Sequence, residues 1–177
     1  MNKNIVTIGG SSSKTSINKA LAEYTGSLIK GVELIKLDLN DFELPIFSVD
    51  LENEFGINEV AKELNSVIDK ADGFVISLAE HNGAYSTAFK NAFDWLSRID
   101  GKVWRDKPML LLSTSPGERG GQTVLELAAG RFPYMGGNIV GDLAFPSFFD
   151  NFVDGEIINK DLKIKVDNLV SELEKVL

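Results

Sequence analysis

The sequence predicts a doubly wound α/β fold: a five-stranded parallel sheet with helices on both faces. Strand-like apolar runs alternate with helix-like runs five times along the 177 residues, with no internal repeat, low-complexity tract or linker. Right-handed crossovers between parallel strands place helices on both faces of such a sheet. A chain of this length suits one domain with a substantial core, so we expect residues 1–177 to form a single domain.

Two strands flank the first helical pattern. Residues 5–8 are apolar or β-branched and predict a buried strand, which breaks at Gly9-Gly10 into a serine-rich loop. Apolar residues at helical spacing follow at Ile17, Ala20, Leu21, Tyr24 and Leu28. Residues 32–37 alternate apolar and polar and predict a strand near one edge of the sheet. The stretch 38–55 shows no clear pattern, and irregular connections of that length are often functional.

Three more strands are predicted at residues 74–78, 108–113 and 138–143. The first of these is apolar almost throughout, as expected of a central strand in a parallel sheet. Helical spacing predicts a second helix over 57–68, a third over 86–99, a fourth over 121–132 and a helix at the C-terminus. The C-terminal helix is expected to bury Leu162, Val166, Leu169, Val170 and Leu173.

The third predicted helix has a wide apolar face, about 160° of arc at ~100° per residue. This face consists of Ala88, Phe89, Ala92, Phe93, Trp95, Leu96 and Ile99. Two interpretations stay open. The helix is either buried deeply within its own chain, or it packs on its sheet and also on a second subunit. The second interpretation predicts a homo-oligomer with the helix 86–99 at the interface.

Composition excludes several functions. The net charge of −8 argues against nucleic-acid binding. The absence of cysteine excludes disulfides, thiolate catalysis and cysteine-ligated metals, and the single histidine argues against a histidine metal site or a catalytic triad. We see no signal peptide and no apolar run near the ~20 residues of a membrane span. We therefore expect a cytoplasmic protein with no metal, membrane or nucleic-acid partner.

The loop between the first strand and the first helix suits an anion. A helix N-terminus carries partial positive charge and spare amide groups, and hydroxyl side chains add donors. A Walker A loop would need glycine where the chain has Ser13 and Ile8, and the dinucleotide fingerprint G-x-G-x-x-G is absent. Two interpretations remain: a site for a mononucleotide phosphate, or a simple capped turn between strand and helix.

Three loops are expected to meet at the carboxyl ends of the strands, where open parallel sheets bind ligands. They run from Gly10 to Ser16, from Ala79 to Tyr85 and from Ser113 to Gly121, after the first, third and fourth strands. The loops offer glycine, amide groups and small polar side chains, but no triad and no carboxylate pair with an evident base. We therefore expect a bound cofactor to carry the chemistry.

Motifs in these loops match a known family. Gly10, Ser11, Ser16 and Asn18 fit the pattern Gly-Ser-x-Arg-x-x-Ser-x-Asn, and Ala79-Glu80-His81-Asn82 precedes the stretch Phe-Lys-Asn-Ala-Phe-Asp-Trp-Leu-Ser-Arg at 89–98. Lys107-Pro108 begins the strand that leads into a loop ending in Gly-Gly. Over residues 4–146 the chain thus resembles the NAD(P)H-dependent FMN reductases of the flavodoxin-like superfamily, which include quinone, chromate and azo-dye reductases.

The resemblance implies strand order 2-1-3-4-5, non-covalently bound FMN, NAD(P)H as co-substrate, and hydride transfer through N5 of the flavin without a catalytic protein residue. It also implies a small-molecule electron acceptor and a homodimer or homotetramer. Near the flavin phosphate it places Gly10, Ser11, Ser13, Ser16 and Asn18. Beside the ring it places Glu80, His81, Asn82 and Gly83, and along the opposite edge Ser113, Ser115, Gly117 and Gly120.

The chain departs from the family pattern at several positions. Ser13 stands where the family has arginine, which removes a bidentate partner for phosphate or NADPH. Lys14 either replaces that charge or faces solvent. His81 stands where a flat tyrosine usually covers the flavin, and we interpret it as lining the pocket. Besides an FMN reductase, two functions stay open: an electron carrier without nicotinamide activity, and a family member that has lost FMN.

Overall fold

In a computed structural model, which describes residues 2–177, five parallel strands form one sheet with helices on both faces. The strands are β1 (Lys3–Gly10), β2 (Val32–Leu37), β3 (Gly73–Leu78), β4 (Lys107–Thr114) and β5 (Gly137–Phe145). Their order across the sheet is β2-β1-β3-β4-β5, and every neighbouring pair is parallel. The predicted fold class and strand order are confirmed.

Seven helices connect and cover the strands. They are α1 (Ile17–Ser27), α2 (Val49–Phe55), α3 (Glu59–Asp69), α4 (Thr87–Ile99), α5 (Gln122–Arg131), α6 (Phe148–Asn151) and α7 (Lys160–Glu174). One apolar core lies between the sheet and α3, α4 and α5; the other lies between the sheet and α1 and α7. Two short antiparallel hairpins also form, Glu80–His81 with Ala84–Tyr85 and Phe152–Val153 with Glu156–Ile157.

The structure corrects the sequence prediction at two places before the third strand. Gly9 and Gly10 belong to β1, because they pair with Ser77 and Leu78 of β3. The stretch 38–55 contains a 3₁₀ turn, Leu39–Asp41, and the helix α2. All seven α2 residues remain at least partly exposed, so this helix has no buried face and no apolar periodicity to reveal it.

Helix α1 lies unusually close to the sheet. A Cβ atom at Gly9 would stand 2.6 Å from the Cα atom of Lys19, and one at Gly26 would stand 2.5 Å from the Thr7 side chain. Only glycine permits such an approach of helix to strand. The contact fixes the N-terminus of α1 directly above the carboxyl end of β1, beside the ends of β3 and β4.

The wide apolar face of α4 is covered within the chain. Trp95 and Phe93 are only 1% and 7% exposed. The Phe47 ring meets the Trp95 ring edge-on at 5.2 Å between centroids, and on the other side Phe93 stacks on Trp104 at 5.7 Å. The deep-burial interpretation is therefore correct. The stretch 44–48 covers Trp95, and Phe93 faces Trp104 in the core, so neither side chain is exposed to a second subunit. An interface formed by other residues of the helix 86–99 stays a prediction.

Across residues 2–177, every helix is too short or too polar to cross a lipid bilayer.

Candidate functional site

The loops after β1, β3 and β4 enclose a cleft of about 200 Å³ at the carboxyl edge of the sheet. Among the residues predicted from the sequence, the cleft is lined by Ser11, Ser13, Ser16, Asn18, Glu80, His81 and Ser115. Lining residues that the sequence analysis did not single out are Thr15, Ile17, Ala79, Thr114 and Pro116. Their only sequence signal was their place in the same loops. The remaining predicted residues lie outside the lining: Asn82, Gly83, Gly117 and Gly120 in these loops, and Gly10 and Ser113 at the ends of β1 and β4.

The first loop presents amide groups to the cleft. Its conformation is held by Ser13 N–H donating to Ser11 Oγ at 3.1 Å and by Ser16 N–H donating to the Ser13 carbonyl at 3.2 Å. Ser16 caps α1, because its Oγ accepts from the Lys19 amide at 3.1 Å. Nothing within residues 2–177 accepts from the amides of Ile17 and Asn18, the first two of α1. These donors and the serine hydroxyls suit an anionic oxygen.

The side chain of Asn18 makes all of its hydrogen bonds within the chain. Its side chain is 2% exposed, and its Oδ1 accepts from the Thr114 amide at 3.0 Å and from Ser77 Oγ at 2.7 Å. Its Nδ2 donates to the Thr114 carbonyl at 3.1 Å. The Asn18 amide therefore ties α1 to the ends of β3 and β4. It positions the cleft walls while its backbone amide remains free to bind.

The second loop is a hairpin with a two-residue turn. Asn82 and Gly83 have φ values of 53° and 76°, the left-handed pair that a type I′ turn requires. The dipeptide Asn-Gly is a strong hairpin signal that the sequence analysis treated only as part of a loop. His81 is exposed on the hairpin, and its side chain has no hydrogen-bond partner within the described residues. Its position at the cleft agrees with the interpretation that it lines the pocket.

A buried serine joins the first two loops. Ser86 Oγ donates to the Gly10 carbonyl at 2.8 Å and accepts from the Phe89 amide at 3.2 Å, which caps α4. The helix predicted over 86–99 begins at Ser86, but the bond from Ser86 to β1 was not predicted. Serine before a helix is a capping signal, whereas a partner 76 residues away leaves no local pattern.

The third loop forms a wall made mainly of backbone. Ser113 is fully buried and its Oγ donates to the Gly120 carbonyl at 2.8 Å, so its hydroxyl holds the loop and does not face the cleft. Gly120 and Gly121 have φ values of 57° and 77°. A Cβ atom at Gly120 would stand 2.6 Å from the Phe145 carbonyl oxygen. Glycine is required there for its backbone conformation and for the space it leaves.

Two lysines lie beside the first loop, and only one of them has a carboxylate partner within the described residues. Lys19 forms an ion pair with Asp38 at the end of β2. The hydrogen bond from Lys19 to Asp38 raises the pKa of Lys19. Burial raises the pKa of Asp38, but hydrogen bonds from Lys19 and Asn40 outweigh that effect and hold it below its usual value. Lys14 is exposed and has no carboxylate partner in the part of the chain described. Of these two lysines, Lys14 is therefore the one whose charge is not already used in an ion pair.

These features suit a mononucleotide. The free amides of α1 and the hydroxyl-rich loop form a donor set for a terminal phosphate, and Lys14 lies in the same loop outside the lining of the cleft. The hairpin and the glycine wall leave space between backbone surfaces for a flat ring. No group of three or more His, Cys, Asp or Glu side chains able to hold a metal occurs among residues 2–177.

The sheet order and the loop cluster place the chain among flavodoxin-like α/β proteins. The family model for NADPH-dependent FMN reductases matches residues 3–150, and the chain belongs to this family.

Relatives with related names match over most of the chain. An NADPH:quinone oxidoreductase of Arabidopsis thaliana is 31% identical over 127 residues, which cover 70% of this chain and 63% of the plant protein. A quinone reductase of Escherichia coli is 31% identical over 66% of this chain and 62% of its own length. An NADPH azoreductase of a Bacillus species is 31% identical over 68% of this chain and 64% of its length. The chain thus matches less than two thirds of each relative.

A solved structure has the same fold over nearly the whole chain. FerB, a flavoenzyme NAD(P)H:(acceptor) oxidoreductase from Paracoccus denitrificans, superposes with a TM-score of 0.81 at 23% identity. The superposition covers 98% of this chain and 96% of FerB.

Proposed function

We propose that this chain is an NAD(P)H-dependent oxidoreductase that binds FMN non-covalently and passes electrons to a small acceptor such as a quinone, an azo compound or free flavin. The observation that carries the proposal is the N-terminus of α1, where Ile17 and Asn18 line the cleft and their amides have no acceptor within residues 2–177. Family membership supports the cofactor, and the names of the relatives support quinone and azo acceptors.

The first loop would hold the FMN phosphate. The α1 amides and the hydroxyls of Ser11, Ser13 and Ser16 supply hydrogen bonds, and Lys14 supplies a single charge in place of the arginine typical of the family. Gly10 ends β1 beside the loop; a Cβ atom there would stand 2.9 Å from the Leu78 side chain, and Ser86 binds its carbonyl. With one lysine as a point charge, phosphate binding depends mostly on amide donors.

The other two loops would hold the ring. Glu80, His81, Asn82 and Gly83 form one wall, and the opposite wall is formed by Ser113, Ser115, Gly117 and Gly120 through the backbone they shape. When bound, FMN supplies a ring that takes hydride from NAD(P)H and gives electrons to the acceptor. The residues of the chain orient the two reactants in turn on the open side of the cleft.

We also propose that residues 1–177 act as one FMN-binding unit in the cytoplasm and assemble as a homodimer or homotetramer. Ile46, Val49 and Phe55 are 76%, 57% and 72% exposed on the stretch that covers α4. A second copy would pack on this outer layer, next to the helix 86–99, rather than on Trp95 itself. Light scattering of Phe55→Glu against the unchanged chain tests this proposal, because a mass of 19.4 kDa for the unchanged chain would contradict it.

Flavin titration tests the cofactor proposal. The apo-protein is titrated with FMN and with riboflavin, and quenching of flavin fluorescence gives the dissociation constants. FMN should bind at about one per chain and far more tightly than riboflavin, because only FMN offers a phosphate to α1. Lys14→Ala should weaken FMN alone. Lys30→Ala, an exposed lysine beyond the far end of α1, is the matched control and should change neither constant.

The same preparation separates the alternatives. Rapid mixing of the FMN-loaded protein with NADPH should bleach the flavin, and mixing with a benzoquinone should restore its colour. Equal affinities for FMN and riboflavin would contradict the phosphate site. Binding of FMN without reduction by NADPH or NADH would favour an electron carrier, and no flavin binding would indicate a family member that has lost the cofactor.

A further inference from the structure

Glu80 makes a contact that the proposed function does not use. Its Oε2 accepts a hydrogen bond from the Val124 amide at 3.1 Å, although the two residues are 44 positions apart. Val124 is the third residue of α5, whose free N-terminal amides need acceptors. The carboxylate of the hairpin therefore caps a helix that belongs to the opposite wall of the cleft.

Helix α5 cannot cap itself. Its N-cap residue is Gly121, which has no side chain and lies in the left-handed region. A Cβ atom there would stand 3.2 Å from the Ser113 Cβ and 3.6 Å from the Glu80 Cβ. The usual capping serine, threonine, asparagine or aspartate is thus replaced by glycine for reasons of space and conformation. Glu80 supplies the missing acceptor from outside the helix.

A second contact joins the same two walls. At the turn of the hairpin, Gly83 lies beside Thr123 of α5, since the position that a Cβ atom would take on Gly83 is 3.8 Å from the Thr123 side chain. Further along, the Tyr85 ring lies parallel to the ring of Phe132, the residue that directly follows α5, with 6.4 Å between centroids. The hairpin therefore packs on α5. The hydrogen bond from the Val124 amide to Glu80 lies at the end of this contact nearest the cleft.

We propose that Glu80 is a positioning residue: by capping α5 it fixes the separation of the two walls between which the flavin ring would lie. Its charge also offsets the positive N-terminus of α5. Of the two helix N-termini, only that of α5 is paired with this carboxylate, and the N-terminus of α1 stays available to the phosphate. The part of this proposal that concerns the ring rests on the proposed function, whereas the link from Glu80 to α5 does not.

Two variants separate the hydrogen bond from the charge. Glu80→Gln keeps an oxygen acceptor and removes the charge, and Glu80→Ala removes both. Glu118→Gln and Glu118→Ala are the matched controls, because Glu118 is an exposed carboxylate in the loop before α5 with no hydrogen bond among the described residues.

Amide exchange of the apo-protein, followed residue by residue by NMR, tests the link. Glu80→Ala should speed exchange of the Val124 amide by roughly 3- to 30-fold, the equivalent of a lost helix cap, while Glu80→Gln stays close to the unchanged chain. Unchanged exchange at Val124 in Glu80→Ala would overturn the proposal. So would an equal increase at Leu110 and Val75, buried strand residues, because that result reports global destabilisation.

Flavin binding then tests the role in the cleft. Glu80→Ala should weaken FMN and riboflavin by the same factor, since both share the ring, whereas Lys14→Ala affects FMN alone. The midpoint potential of bound FMN should become more positive in both Glu80 variants, because a negative charge beside the ring is removed. An unchanged potential together with unchanged affinities would overturn the positioning role. If the unchanged chain bound no FMN, the proposed function would fail, and amide exchange would still decide the link.

Discussion

The indole N–H of Trp95 donates a hydrogen bond to the Pro45 carbonyl at 2.8 Å, across the boundary between α4 and the stretch that follows β2. Asn91, one turn earlier on α4, reinforces this contact. Its Oδ1 accepts from the Phe47 amide at 2.8 Å, and its Nδ2 donates to the Pro45 carbonyl at 3.1 Å. Two side chains of α4 thus form hydrogen bonds with backbone groups of Pro45 and Phe47, in a segment that is neither helix nor strand.

Trp95→Phe should lower the free energy of unfolding by more than Trp104→Phe does, by about 1 kcal/mol. Both changes remove the same part of a buried ring. Only the Trp95 N–H has a partner, whereas the buried Trp104 N–H has none within residues 2–177. Urea unfolding followed by far-UV circular dichroism measures the difference. Equal losses for the two variants would show that the Trp95 hydrogen bond adds nothing.

Gly120→Ala should destabilise the chain by about 2–3 kcal/mol, because alanine is strained in the left-handed region and its Cβ would collide with the Phe145 carbonyl. Gly117→Ala, three residues earlier in the same loop, is the control. A Cβ atom there meets nothing nearer than the Ser115 Oγ at 3.9 Å. Thermal unfolding of the two variants compares them directly, and similar melting temperatures would contradict the assignment.

Asp38→Asn should lower stability at neutral pH by about 0.5–1 kcal/mol, because it removes the ion pair with Lys19. The pKa of Asp38 is lowered in the folded chain, so its contribution is present above the unfolded value of 3.8 and is lost as the pH falls through the lower folded value. The pKa of Lys19 is raised, so its contribution persists below 10.5 and is lost above that value.

The measurement is urea unfolding of the unchanged chain and Asp38→Asn at several pH values. The two stabilities should differ across the neutral range and converge in acid. A difference that stays constant from neutral pH to below the pKa of Asp38 would show that the asparagine disturbs packing and not charge.

His81→Ala should leave reduction of bound FMN by NADPH within about 10-fold of the unchanged rate, below the 10²–10⁴-fold typical of a general acid or base. The His81 side chain is exposed and lacks a partner that would orient it for proton transfer. Rapid-mixing absorbance isolates this half-reaction from the acceptor. Complete loss of reduction with FMN still bound would mean that the imidazole takes part in the hydride step.

Periodicity in the sequence was sufficient for most of the fold. Of the five α7 residues predicted to be buried, Leu162, Val166, Val170 and Leu173 are buried, and Leu169 is partly buried. The helix and strand boundaries shifted by a few residues, as they did at Gly10. Such residues are easy to predict because burial against a sheet imposes a repeat of two or 3.6 on the sequence itself.

The site was harder to predict because its connections are long-range. The partners of Asn18 and Glu80 lie 96 and 44 residues away, and no local spacing records them. The family motifs brought both residues to the cleft, yet they suggested direct contact with the ligand. In the structure their side chains are used to join one loop to another.

The left-handed glycines after β4 have a further consequence for how this cleft can change. Because that wall is main chain held by the Ser113 hydroxyl and packed against the Phe145 carbonyl, its shape depends on these residues and not on the exposed side chains of the loop. Pro116 and Glu118 stand exposed on the same loop. Substitutions there alter the rim of the cleft without entering the folded core. The positions that shape the rim of the cleft and the positions that stabilise the fold are thereby separate in this loop, and either set is open to substitution without the other.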